Sequence, residues 1–175
     1  MTSVTSVKNS DQREAESPDG LSLPPRPVTL DDTMTVDDDP HDLHRFVAAQ
    51  QRVYATVCDE LRAGAKRTHW IWFIFPQLRG LGRSSTAHRY GVASLDEARA
   101  YLRHPVLGPR LQECADLLMT HQERSATAIL GHPDDMKVRS SMTLFGRAGD
   151  DEVFRAVLDA FYGGQEDPAT VALLQ

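Results

Sequence analysis

Two cysteines, Cys58 and Cys114, are all that this chain of 175 residues holds. They form no CxxC pair and no Cys/His cluster, which argues against a disulfide framework and against a structural zinc site. A reducing compartment follows. Long apolar runs are also missing: none approaches the roughly 20 residues that a membrane-spanning helix takes. The start of the chain shows no charged stretch followed by an apolar one, so no signal peptide is expected and a cytoplasmic location fits. His69, His88, His104 and His132 are candidate general bases, yet none has the His-x-x-x-His or HExxH spacing of a helical metal site. Neither a metal nor a cofactor is expected.

Aromatic residues are absent from residues 1–38, which carry Pro18, Pro24, Pro25 and Pro27 among many Ser, Thr and Asp. Such a segment buries too little apolar surface to offset the entropy of ordering, and a disordered acidic tail is expected over 1–38. Met34 reads as an alternative translation start. The formal charge of -6 belongs to this end of the chain, because residues 1–39 hold nine acids and three cations while the remainder is balanced. Within that remainder, Arg62 to Arg110 carries nine Lys/Arg against only Asp96 and Glu97, an asymmetry that suits an anionic ligand.

What is present is helical patterning over 39–175. Asp39-Pro40 reads as an N-cap with proline in the first turn of an amphipathic helix that ends at Gly64. The apolar run after Lys66 has no candidate strand to pair with, so a helix ending at Pro76 is predicted. Ser84 opens a turn or two of helix, and Ser94 to Glu97 is a capping box for a helix through Arg103. His104-Pro105 breaks it. Further helices are predicted after Pro105, from Ser125 to Leu130, from Asp134 through Phe145, from Glu152 to Tyr162 with Asp150 as cap, and after Asp167-Pro168. The fold class is all-α: one compact domain of about six to eight short helices.

The motif His69-Trp70-x-Trp72-Phe73-Ile74-Phe75-Pro76-Gln77-Leu78-x-Gly80-Leu81-Gly82-x-Ser84 resembles the signature of a bacterial and fungal family, domain of unknown function 1810, sometimes labelled calpastatin. The likeness continues through Tyr101-Leu102-x-His104-Pro105-Val106-Leu107-Gly108 and Lys137-x-x-Ser140-Ser141-Met142-Thr143-Leu144-Phe145, covering Pro40 to the C-terminus. It implies a compact, mostly helical domain and carries no activity onto these positions.

Two functional readings stand side by side. In the first, a phosphorylated or nucleotide-like ligand enters a basic and aromatic cleft. Aromatic rings next to cations hold bases, with His69, Trp70 and Trp72 beside Lys66, Arg67 and Arg79. The loop Gly80 to Ser85 feeds a helix start, where Arg79, Arg83, Ser84 and His88 gather about a phosphate. Gln77 completes that side, and Lys137 with Ser141, four apart on one helix face, faces it. In the second reading, a non-catalytic module meets an acidic protein or nucleic acid through the same basic stretch, with binding that weakens steeply in salt. Nucleic acid is the less favoured partner, and no membrane is involved. For Phe73 and Phe75 the simpler role is core. For Ser140 and Ser141 the simpler role is that of small residues at a close helix contact.

Overall fold

The computed structural model describes residues 39–175. The expected disordered tail and the alternative start at Met34 lie outside the described residues. Asp39 does act at a helix start, its carboxylate accepting from Leu43 N (2.8 Å) and His44 N (2.9 Å), but one turn intervenes before α1, His44–Gln51. The single helix expected up to Gly64 is two, because α2, Tyr54–Arg62, restarts after Arg52 and Val53. The reason is that the halves have different partners. Phe46 and Gln50 of α1 turn toward α3 and Tyr101, whereas Val57, Cys58 and Leu61 of α2 bury against α6. One straight helix cannot address both.

The run after Lys66 is mostly loop, and only Ile71–Ile74 forms a helical turn, α3. Glu60 explains why. Its carboxylate accepts from Arg67 N (2.8 Å), Thr68 N (3.1 Å), Thr68 Oγ1 (2.8 Å) and Trp70 Nε1 (2.8 Å), so the donors a helix would use are bound to a side chain. After Pro76, Arg79 N bonds Val92 O and Val92 N bonds Gln77 O, a single parallel bridge between Leu78 and Val92.

The remaining helices are α4 (Ser85–Arg89), α5 (Leu95–Arg103), α6 (Leu107–Met119), α7 (Ala126–Leu130), α8 (Asp134–Ala148), α9 (Glu152–Tyr162) and α10 (Pro168–Leu173). The caps predicted at Ser84, Ser94, Ser125 and Asp167 all accept from the backbone N–H three residues on. Asp151, not Asp150, precedes α9, and its side chain makes no cap bond. Gly163 ends α9 in the left-handed region at φ 60°.

Helix α8 forms the middle of the described residues, packed by α9, α5, α10, α7 and α3, while α6 closes against α9, α5 and α2. Fully buried Phe46, Trp70, Phe75, Tyr101, Phe145 and Phe154 fill the space between. The class is all-α, with ten short helices and no strand among the described residues. No described helix is long and apolar enough to cross a membrane.

Candidate functional site

The site begins with the Glu60 anchor. By holding the Trp70 indole inward, at 1% exposure, Glu60 sets the phase of α3, and Trp72 emerges half-buried two residues later. Burial pushes the Glu60 carboxyl up, but the four hydrogen bonds from Arg67, Trp70 and Thr68 outweigh it and hold it down to about 2. Glu60 is therefore a fixed anion whose task is structural.

The first turn of α8 comes alongside this segment. Asp134 Oδ2 accepts from Lys66 Nζ at 2.7 Å, and Asp134 Oδ1 from Lys137 Nζ at 2.8 Å. Lys137 Nζ lies 4.3 Å from the centre of the Trp72 ring, and Lys66 Nζ lies 5.1 Å from that of Trp70. Both are cation–π contacts in range. Burial pushes the Asp134 carboxyl up, yet the hydrogen bonds and charges of Lys137 and Lys66 leave it below the usual carboxylate range. The side chains of Lys66, Asp134 and Lys137 are only 7%, 17% and 20% exposed. Two ammonium groups thus share one carboxylate in a place largely shielded from water, beside an accessible indole. One turn beyond Lys137, the fully buried Ser141 hydroxyl has no hydrogen-bond partner among the described residues. A group left in that state costs about 1–3 kcal/mol, and such groups call for an explanation.

Of the residues expected to form the cleft, Trp72 and Lys137 do meet. Trp70 is not a stacking surface: its ring is core and its N–H is taken by Glu60. His69 is exposed on the loop ahead of α3, and Gln77 is half-buried with its carbonyl in the Val92 bridge. Exposed Arg79 donates to Gly91 O at 3.2 Å. Arg83 and His88 are exposed at α4, where the Ser84 hydroxyl caps the helix by accepting from Ala87 N at 3.1 Å. A Cβ on Gly82 would stand 2.4 Å from that of Ala87, so close approach accounts for this glycine without a phosphate. Among the described residues, no hydrogen bond, ion pair or cation–π contact joins Trp72 or Lys137 to Arg79, Arg83, Ser84 or His88.

Two contributors had weak or no signal in the sequence. Asp134 and Lys137 have the i,i+3 spacing of a helical pair. That Asp134 also receives Lys66, from a loop far away in sequence, follows only from the packing. Asp135 beside it does separate work, accepting from Thr127 Oγ1 (2.6 Å) and His132 Nδ1 (3.1 Å).

A family model described as "Protein of unknown function (DUF1810)" matches residues 40–174. The fold is similar to the crystal structure of the conserved hypothetical protein Rv1873 from Mycobacterium tuberculosis, with a TM-score of 0.77 and 60% sequence identity. That match covers 78% of this chain and 98% of the other. No curated protein matches.

Proposed function

The chain belongs to the DUF1810 family, and we propose that the cluster of Trp72, Lys137, Lys66 and Asp134 binds a small phosphorylated or nucleotide-like molecule. The observation that carries this reading is the shared carboxylate: two half-buried ammonium groups divide Asp134 between them, one of them against the face of Trp72. The surplus of one positive charge is shielded from water and gains from an incoming anion. Lys137 has the flexible stem that lets its ammonium leave Asp134 for a phosphate oxygen while Lys66 keeps the carboxylate paired. Trp72, half-buried, supplies a ring against which a base or sugar face stacks.

The proposal is one of binding. Ser141 lies four residues from Lys137, yet its hydroxyl is bonded to neither that lysine nor a histidine, so no nucleophile and base are paired. The test is a thermal-shift panel of nucleoside phosphates, sugar phosphates, inorganic phosphate and short oligonucleotides. A small phosphate compound that raises the melting temperature of the wild type, but not of Lys137→Ala, supports the site. Stabilisation by oligonucleotides alone, fading steeply with salt, would favour the interaction-module reading instead.

A further inference from the structure

The two cysteines face each other between α2 and α6. Contacts on both sides fix this register. Ahead of the thiols, the Tyr54 hydroxyl donates to Glu113 Oε2 at 2.6 Å, and the Arg110 guanidinium lies 4.4 Å from the centre of the Tyr54 ring. Beyond them, His121 Nε2 donates to Leu61 O at 2.9 Å and to Arg62 O at 3.0 Å. Cys58 is one turn past Tyr54, and Cys114 one turn past Arg110, so the bracketing contacts bring the sulfurs to the same level. At this level the two buried, free thiols lie close enough to perturb each other.

We propose that Cys58 and Cys114 are a peroxide-sensitive dithiol, with Cys58 the sulfur attacked and Cys114 the resolving thiol. The assignment of roles follows from their surroundings. Cys58 keeps 4% exposure beneath Tyr54 and Arg62 at the surface, whereas Cys114 is fully enclosed. The neighbouring Cys114 thiol favours the Cys58 thiolate against burial, while the neighbouring Cys58 and burial hold Cys114 protonated.

In the first step the Cys58 thiolate attacks one oxygen of hydrogen peroxide. A sulfur–oxygen bond forms, the oxygen–oxygen bond breaks, and the departing hydroxide takes a proton to become water. In the second, Cys114 attacks the Cys58 sulfenic sulfur. The disulfide forms, the sulfur–oxygen bond breaks, and hydroxide leaves with the Cys114 proton as a second water. Two thiols lose two electrons and one peroxide gains them. The sulfurs close to about 2.05 Å in the disulfide, and a small thiol reverses the bond by exchange.

The experiment treats reduced full-length protein with hydrogen peroxide, alkylates it in denaturant and maps peptides by mass spectrometry. The expected result is simultaneous loss of both thiols into one intramolecular Cys58–Cys114 link that dithiothreitol reverses. Cys114→Ser should stop at a Cys58 sulfenic acid that dimedone traps, and Cys58→Ser should leave Cys114 unreacted. A Cys58 sulfinic acid beside free Cys114 in the wild type, a link between two chains, or no reaction where free cysteine is oxidised would each overturn the proposal. Circular dichroism checks the variants, and should a serine variant not fold, Cys58→Ala and the wild-type map decide.

Discussion

The Trp70 indole donates its N–H to Glu60 at 2.8 Å, and this bond sets which way the aromatic segment faces. With the other three donors from Arg67 and Thr68, it leaves Glu60 saturated and charged. Glu60→Gln replaces a charged acceptor by a neutral one and should cost roughly 2–3 kcal/mol in chemical denaturation, since hydrogen bonds to charged groups are the strong ones. The sign with pH is fixed by the lowered carboxyl. Its contribution is complete above the ordinary glutamate range near 4.5 and is lost as pH falls toward about 2. The variant should therefore show a shallower acid-side loss of stability than the wild type.

His104 supplies a second pH dependence, of the same sign but at higher pH. Its Nδ1 accepts from Val106 N (3.1 Å) and Leu107 N (3.3 Å), which only an unprotonated nitrogen can do, so it serves as the cap of α6. Burial lowers its pKa, opposed by the charge of Asp39. Stability from this neutral cap is complete above the free histidine value near 6.5 and is lost as pH falls through the lower folded value. Denaturation midpoints measured between roughly pH 7.5 and pH 5 should decline in the wild type. In His104→Asn, whose side-chain oxygen can cap without titrating, that decline should be smaller.

Arg45 joins α1 to the segment ahead of α5. Its guanidinium pairs with Glu97 and donates to His41 O, Asp42 O, Arg89 O and Gly91 O. The side chains of Arg45 and Glu97 are 9% and 4% exposed, so Arg45→Met leaves a buried carboxylate without its counter-ion, held only by the Ala93 N–H, and should cost roughly 3–5 kcal/mol. Lysine lacks the planar fork and should recover only a small part of this. Hydrogen exchange over residues 89–93 should quicken in both variants.

Much of this arrangement is legible in the sequence because it is local. Serines at 84, 94 and 125 and Asp167 cap the helices they precede, since the bond is to an N–H three residues on. The aliphatic faces of α6 and α9 bury as their spacing predicts. What spacing cannot show is the effect of a distant partner. Glu60 captures donors that would have extended a helix across Lys66 to Phe75, and Gln50, bonded to Phe73 O and Tyr101, helps give α1 a direction different from that of α2. At the candidate site, the pairing of Lys137 with Asp134 is a helical spacing. The addition of Lys66, and the split that buries Trp70 while presenting Trp72, are consequences of packing.

The measurement closest to the central claim is intrinsic fluorescence, because the chain has two tryptophans and the structure gives them different roles. Wild type, Trp72→Phe and Lys137→Ala are titrated with adenosine and guanosine diphosphates. Binding against Trp72 beside Lys137 predicts saturable quenching in the wild type, a loss of that signal in Trp72→Phe, where buried Trp70 alone emits, and at least roughly tenfold weaker binding in Lys137→Ala, the equivalent of about 1.4 kcal/mol. Undiminished quenching in Trp72→Phe, or equal affinity in Lys137→Ala, would contradict the assignment of this cluster as the ligand site.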